Sequence, residues 1–405
     1  MIRQVSAALA SLALAAPLAA QDAPPDPEDW QAVTEAAEGQ TVYWNAWGGS
    51  STINDYIDWA AREVEARHGV TVEHVKLEDT ANAVSRVIAE KSAGKDSGGA
   101  IDLIWINGEN FAAMKAQDLL FGPWAEDVPN WQYVDVEGKP AVTSDFTVPT
   151  DGLEAPWGMA QLSFYYDSAR LAEPPRSIQA LGDWADENPG RFAYPQPPDF
   201  VGSTFLKQAV LELAPDPSVF REPVTEEAYA EATAPLWAWL DDLTPDLWRG
   251  GAAYPQSAPR LIQLMADNEI DLAVSIELNA ASNAIANFEL PDTVRSYVME
   301  GGTIGNASFV AIPYNANAKA GAMVLANFLM SPEAQARKQD PDVWGSGTVL
   351  AMDKLPPEAR ARFEAIESGP ATLTPAELGK ALPEPHPSWM ERLEQDWTAR
   401  YGVGQ

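Results

Sequence analysis

Residues 41–69, TVYWNAWGGSSTINDYIDWAAREVEARHG, change character twice along their length. Residues 41–44 are β-branched or aromatic, and residues 48–52 have the composition of a turn followed by a helix cap. The apolar residues beyond them recur at helical spacing, at Ile53, Ile57, Ala60 and Val64. The pattern predicts a strand, a tight loop and a helix, a unit that presents free backbone N–H groups at the carboxyl end of a strand.

Similar units follow along the chain. Residues 101–106 form a nearly continuous apolar run, which is typical of a strand buried on both faces of a parallel sheet. Polar residues 107–110 come next, and a helix is predicted after them. Residues 162–167 and 270–276 are predicted strands, and residues 205–213 a predicted helix. Alternating strands and helices indicate an α/β fold.

The length and charge of the chain limit its class. With 405 residues it exceeds one typical compact core, so two lobes are expected. The 59 acidic residues outnumber the 26 Lys and Arg, which gives a formal net charge of −33. Such an anion repels nucleic acid and anionic lipid, so neither is expected as a partner.

The amino-terminal residues predict export. Residues 1–20 combine Arg3, an apolar run too short to span a membrane, and small residues before Gln21, which is typical of a cleaved signal peptide. Residues 21–38 are predicted to be a leader. The chain has no cysteine, which excludes disulfides, thiolate metal sites and lipid attachment through cysteine. A periplasmic monomer without membrane insertion is expected.

Several segments together resemble the extracytoplasmic solute-binding proteins of ABC importers, including YnjB-type members. This is the group with thiamine-, polyamine-, sulfate- and iron-binding proteins. The matching segments are LSFYYD at 162–167, DWA at 183–185, RFAYP at 191–195, NEIDLA at 268–273 and FLMSPEAQ at 328–335.

The resemblance implies a type II-like periplasmic-binding-protein fold, with two α/β lobes joined by two crossing strands and a ligand between them. It implies a permease of an ABC importer as partner. We expect residues 39–161 and 300–405 in lobe 1 and residues 168–295 in lobe 2. The hinge strands are then residues 162–167 and 307–313, so that lobe 1 contains both termini.

Candidate ligand-binding residues lie in loops that follow predicted strands, precede predicted helices or border a crossing, where α/β clefts collect their contacts. They are Trp47, Gly48, Ser50, Asn107, Glu109, Asn110, Trp157, Phe200, Ser203, Tyr254, Ser257, Glu277, Asn279 and Trp344. Trp47 or Trp157 is expected to stack on the ligand, and Glu109 or Glu277 to supply a counter-charge.

The leading ligand class is an organic cation or a heterocycle such as thiamine. Glu109 and Glu277 oppose an anion, and an aromatic face favours an organic cation. An oxyanion remains an alternative, because helix N-termini at Ser50, Ser203 and Ser257 can bind one without a cation. A sugar ligand also remains open.

Iron and enzymatic chemistry are less favoured. Iron-binding members of the group have an adjacent tyrosine pair where this chain has Glu277, Leu278 and Asn279. The three histidines share no metal-ligand spacing, and no GxSxG, P-loop or HExxH motif is present. We therefore expect no cofactor, no metal and no catalytic residue. A secreted carbohydrate-active enzyme with Trp platforms and paired carboxylates is the competing class.

Overall fold

The computed structural model describes residues 24–379 and 381–403. The predicted signal peptide at 1–20 lies outside these residues. The strands are β1 Thr41–Trp47, β2 Thr71–Leu77, β3 Leu103–Ile106, β4 Ser144–Asp145, β5 Val148–Pro149, β6 Glu154–Gln161, β7 Ser163–Asp167, β8 Leu272–Ser275, β9 Val294–Tyr297 and β10 Gly305–Ala311.

The helices alternate with these strands over most of the chain. They are α1 Trp30–Ala37, α2 Ser51–His68, α3 Ala81–Ser92, α4 Gly108–Ala116, α5 Ile178–Glu187, α6 Phe200–Leu213, α7 Glu226–Leu243, α8 Ala258–Ala266, α9 Ala280–Ala286, α10 Lys319–Leu329, α11 Pro332–Gln339, α12 Pro357–Glu364, α13 Pro375–Leu378 and α14 Pro387–Tyr401.

The opening stretch folds as its sequence predicts. Strand β1 is followed by the turn and by α2, whose N-cap Ser50 accepts a hydrogen bond from the Ile53 amide. The helix ends at Gly69, which has a φ of 64°. A residue without a side chain adopts this left-handed conformation at little cost, so glycine suits the helix end.

Two sheets form two lobes. The lobe 1 sheet has the order β2-β1-β3-β10-β6, in which β1, β2 and β3 run parallel and β10 is antiparallel to β3 and β6. The lobe 2 sheet has the order β8-β7-β9. Each sheet contributes to its own cluster of buried apolar residues. The predicted α/β, two-lobe fold is confirmed.

The chain crosses between the lobes at different places from those predicted. The first crossing is shorter than expected, because β6 belongs to one sheet and β7 to the other, with Leu162 alone between them. The second lies in residues 298–304, because β10 is already a strand of the lobe 1 sheet. The segment 307–313, expected as a hinge, therefore forms part of lobe 1.

A third crossing was not anticipated. Leu382 exchanges backbone hydrogen bonds with Thr303 and Gly305, beside the second crossing. Helix α14 then packs into the lobe 2 core through Trp389, Leu393 and Trp397. The expectation that residues 300–405 all belong to lobe 1 is wrong for this helix, because its apolar face is buried in lobe 2.

Helix α1 lies within the segment predicted as a leader. Its Val33 and Ala37 are fully buried in the lobe 1 core, and Asp29 caps its amino terminus. An apolar helical face of this kind is stabilised by burial. Residues 30–37 are therefore an integral part of lobe 1.

Candidate functional site

The two sheets bring polar loops to the edges that adjoin the crossings. In lobe 1, the parallel strands β1, β2 and β3 all end at the edge where β10 begins. In lobe 2, the end of β8 and the start of β7 are paired at Ser275 and Ser163, directly beside Leu162. The predicted loops after β1, β3 and β8 therefore lie on the sides of one inter-lobe cleft.

The turn between β1 and α2 lies at this cleft. Trp47 is half-buried against the lobe 1 core, and the hydroxyl of Ser50 is used in capping α2. Gly48 donates its amide to the Leu77 carbonyl, and a Cβ atom on Gly48 would lie 2.6 Å from Cβ of Lys76. Close packing against β2 thus explains the glycine, while Trp47 remains a predicted ligand contact.

The amino terminus of α4 places a carboxyl group in the cleft. Glu109 is half-buried, and Asn110 donates its side-chain amide to Glu109 at 3.2 Å. Asn107 immediately precedes α4. Burial raises the pKa of Glu109 above its ordinary value, and the charge of Lys207 partly opposes this rise. The group is therefore a poorly solvated carboxyl.

Gly108 allows a second carboxyl to approach the same turn. Its φ is 60°, its amide donates to Asp145 at 2.7 Å, and an added Cβ would lie 2.8 Å from the Phe146 ring. A larger residue would be strained and would clash. Burial raises the pKa of Asp145 well above its usual range, and the negative charge of Glu109 adds to this effect.

Lobe 2 contributes α6 and α14 to the cleft. Ser203 on α6 is buried and donates its hydroxyl to Glu394 on α14. Burial raises the pKa of Glu394 to about 7, and the charges of Glu109 and Asp79 contribute to the increase. Helix α14 also contacts α4 of lobe 1. The predicted residue Ser203 therefore positions a carboxyl group and is not a free N-terminal donor.

A buried ion pair lies between the lobes. Nζ of Lys207 is 2.6 Å from Oε2 of Glu384, and both side chains are almost fully buried. Asn306 at the start of β10 donates to the other oxygen of Glu384 at 2.7 Å. The same ammonium lies 4.4 Å from the centre of the Phe146 ring and 5.3 Å from that of Phe200.

We call this arrangement the cleft cluster. It comprises Glu109, Asp145, Phe146, Phe200, Ser203, Lys207, Asn306, Glu384 and Glu394. Its four carboxyl groups outnumber its single ammonium, and burial raises the pKa of Glu109, Asp145 and Glu394, which favours their protonated forms. A nearby positive charge would favour the ionised forms of these carboxyl groups.

Only Glu109, Phe200 and Ser203 of the cleft cluster were predicted from sequence. Lys207 carries a recognisable signal, because a lysine within the apolar helical run 205–213 needs a buried partner. Asp145 and Phe146 lie in a segment without periodicity. Glu384 and Glu394 become relevant only through the third crossing of the chain.

Trp157 does not offer a stacking face, contrary to the sequence-based expectation. It lies on β6, is fully buried, and packs against Trp44, Trp105 and Trp344 with ring centres 5.2, 4.8 and 5.4 Å away. Buried aromatic pairs of this geometry stabilise a core. Trp157 is thus a core residue of lobe 1.

Tyr254 is likewise a core residue. Its ring packs 5.5 Å from Tyr194 and 4.9 Å from Trp397 in lobe 2. Ser257 lies half-buried at the start of α8, where its side chain makes no capping hydrogen bond. The structure does not bring Tyr254 or Ser257 into contact with the cleft cluster.

Two asparagines of lobe 2, Asn279 and Asn283, contact the backbone of lobe 1 at Trp344 and Gly345. The Asn279 amide, in lobe 2, donates to the carbonyl of Gly345, and Asn283 donates to that of Trp344 at 3.2 Å. Trp344 itself is buried in lobe 1. Glu277 is half-buried nearby in sequence, and burial raises its pKa. Glu277 therefore remains a candidate, whereas Asn279 and Trp344 have structural partners.

A buried lysine beneath this contact was missed by sequence reasoning. Lys338 on α11 is fully buried and donates to the Trp157 carbonyl. Its side-chain nitrogen lies over the rings of Trp157 and Trp344, at 5.0 and 5.3 Å. Burial lowers its pKa well below the usual value. It belongs to the lobe 1 core.

Within residues 24–379 and 381–403, no group of three or more His, Asp or Glu side chains is placed to hold a metal ion. Among the same residues, no helix is both long and apolar enough to cross a membrane.

Two α/β lobes joined at such crossings are the architecture of the periplasmic binding proteins. The model of the family described as bacterial extracellular solute-binding protein matches residues 59–351. The chain belongs to this family, and the predicted membership of the ABC-importer solute-binding proteins is confirmed. The family comprises transport proteins, so the carbohydrate-active enzyme alternative is excluded.

One relative supports this membership, and two solved structures share the fold. The chain is 45% identical to Protein YnjB of Escherichia coli (strain K12) over 93% of its length and 94% of that protein. The periplasmic binding protein AfuA from Actinobacillus pleuropneumoniae has a similar fold, with a TM-score of 0.63 and 14% identity over 90% of this chain and 99% of AfuA. The spermidine/putrescine protein PotD from Streptococcus pneumoniae has a TM-score of 0.60 and 16% identity, over 89% and 98%.

Proposed function

We propose that this protein binds a small organic cation, or a positively charged heterocycle such as thiamine, in the inter-lobe cleft. We further propose that it delivers the solute to the permease of an ABC importer. In this proposal the protein is an exported monomer whose residues 1–20 are removed, and its lobes close about the crossings when the solute binds.

The observation that carries the proposal is the surplus of carboxyl groups in the cleft cluster. One ammonium, that of Lys207, pairs with Glu384, while the charge of Lys207 also acts on Glu109, Asp145 and Glu394, three carboxyl groups whose pKa burial raises. A cation that enters the cleft favours the ionised forms of these carboxyl groups and pairs with them, whereas an oxyanion is repelled by each carboxyl group that is ionised. The surrounding chemistry therefore favours a positively charged solute.

Aromatic rings support the same ligand class. Phe146 and Phe200 already face an ammonium group in the cleft cluster, and half-buried Trp47 lies at the cleft edge. The face of an aromatic ring attracts an organic cation by roughly 0.5–2 kcal/mol, depending on desolvation. Trp47 with Glu109 or Glu277 remains our proposed pair of ligand contacts.

The relatives are compatible with more than one ligand class. PotD is described as a spermidine/putrescine protein, whereas the AfuA structure contains fructose-6-phosphate. Since their fold accommodates both cations and a sugar phosphate, the charge of the cleft must distinguish the possibilities. A sugar or an oxyanion bound at helix N-termini is the alternative that our experiment addresses.

The test is isothermal titration calorimetry of purified protein with a panel of thiamine, putrescine, choline, glucose, fructose-6-phosphate and sulfate. We expect binding of at least one organic cation and none of the anions. The variant Glu109→Gln should weaken that binding by about tenfold or more, because a charge-assisted contact is worth roughly 1.5–3 kcal/mol.

The matched control is Glu137→Gln, which removes the same charge from an exposed loop of lobe 1. It should bind as tightly as the parent. Binding of an oxyanion with no cation in the panel would refute the proposal. A cation that binds Glu109→Gln and the parent equally would show that our site is wrong.

A further inference from the structure

The ammonium of Lys207 lies against a carboxylate and two aromatic rings. Glu384 supplies a carboxylate at 2.6 Å, and Phe146 and Phe200 supply ring faces at 4.4 and 5.3 Å. The lysine side chain is fully shielded from solvent. A carboxylate combined with aromatic faces is the chemistry that recognises amines.

Most walls of this site do not depend on the lysine's own helix. Phe146 lies between β4 and β5, Asn306 begins β10, and Glu384 lies between α13 and α14. Asn306 holds one oxygen of Glu384 by a hydrogen bond, which fixes the carboxylate independently of Lys207. The site can therefore persist when the flexible lysine side chain moves away.

A neighbouring carboxyl group offers the ammonium of Lys207 an alternative partner to Glu384. Lys207 and Ser203 lie on the same helix, and Ser203 donates to Glu394. The charge of Lys207 acts on Glu394 and on Glu109. A lysine displaced from Glu384 thus remains close to a second carboxyl group, that of Glu394, which Ser203 holds beside the same helix.

We propose that Lys207 is a tethered competitor for the solute. Its ammonium fills the position between Glu384, Phe146 and Phe200 that the ammonium of an organic cation takes, and the solute binds by displacing Lys207 toward Glu394, which leaves Glu109 to the solute. This inference rests on the proposed function. Lys207 then sets the selectivity of the cleft. Only a cation that binds Glu384, Phe146 and Phe200 more favourably than the tethered lysine can enter.

The test uses Lys207→Met and n-butylammonium chloride, which reproduces the four-carbon amine of the lysine side chain. We expect the variant to unfold at a lower temperature than the parent, because Glu384 loses its partner. Millimolar n-butylammonium should restore several degrees, whereas sodium chloride at the same ionic strength should not. The half-effective amine concentration should be at least about tenfold lower than for the parent.

Lys91→Met is the matched control. Lys91 also lies over a ring, 4.3 Å from the centre of Tyr314, and beside a carboxylate, 3.6 Å from Asp96, but its side chain is exposed. Its loss should create no response to the amine. An equal response of the two variants would overturn the proposal.

A double variant, Lys207→Met with Glu384→Gln, removes the buried charge together with its partner. It should regain stability and lose the response to n-butylammonium. If Lys207→Met fails to fold alone, its refolding yield from denaturant with n-butylammonium against sodium chloride is the readout. Recovery only with the amine supports the proposal, and equal yields overturn it.

The solute panel separates this inference from the proposed function. If the parent binds organic cations but Lys207→Met shows no amine response, the proposed function stands and the competitor role is wrong. If Lys207→Met weakens binding of the cation as much as Glu109→Gln does, Lys207 is a ligand contact and the competitor role is also wrong. Tighter binding by Lys207→Met is the expected result.

Discussion

Replacing Glu394 with glutamine should remove part of the pH dependence of stability. Its pKa of about 7 lies above the ordinary value of 4.5, mainly because the group is buried. Between these two pH values the folded protein binds more protons than the unfolded chain, so the free energy of unfolding falls as pH rises. The difference between the two pKa values corresponds to about 3 kcal/mol in the free energy of unfolding if the group were fully buried. Partial solvent screening reduces this to about 2 kcal/mol.

Urea unfolding of the parent and Glu394→Gln at pH 5 and pH 8 measures this contribution. Glutamine retains an oxygen that can accept the hydroxyl of Ser203, so the comparison isolates the titration of the carboxyl. The free energy of unfolding of the parent should fall by about 2 kcal/mol more than that of Glu394→Gln between pH 5 and pH 8. Glu391→Gln, at an exposed position of the same helix, is the control. Parallel pH profiles for parent and Glu394→Gln would refute the reasoning.

Two further predictions concern the lobe 1 core. Trp157→Ala should lower the free energy of unfolding by about 3–5 kcal/mol in urea at pH 7, because the ring is fully buried, and a loss below about 1 kcal/mol would contradict a core role. The free energy of unfolding of the parent should rise as pH increases toward 10.5, and Lys338→Met should reduce this rise. Burial lowers the pKa of this amine in the folded state, so between that lowered pKa and the ordinary value of 10.5 the unfolded chain binds more protons than the folded state. Identical slopes for parent and Lys338→Met between pH 7 and 10 would be the contrary result.

Local sequence pattern predicted the parts of the cleft that lie close together in the chain. The turn of β1 into α2 and the turn of β3 into α4 were both recognisable, because each joins a β-branched or apolar run to a helical period. Carboxyl ends of parallel strands meet at one edge, so Trp47 and Glu109 could be assigned to one side of a cleft.

The burial of individual aromatic residues was not readable from sequence. Trp47 and Trp157 both stand in predicted loops or turns, yet one is half-buried at the cleft edge and the other is fully buried in β6. The difference arises because β6 pairs with β10 and places the Trp157 ring among Trp44, Trp105 and Trp344. Whether a ring is buried or lies at the cleft is therefore decided by pairing between strands that are far apart in the sequence.

The sequence by itself determined the α/β alternation, the two lobes, the family and the acidic character of the protein, because periodicity, composition and short motifs are local properties. Only the tertiary structure decided the third crossing and the cleft cluster. Lys207 and Glu384 are far apart in the chain, and their 2.6 Å contact exists because α6 and the segment before α14 meet between the lobes. A buried charge requires a partner, but only the fold selects which one.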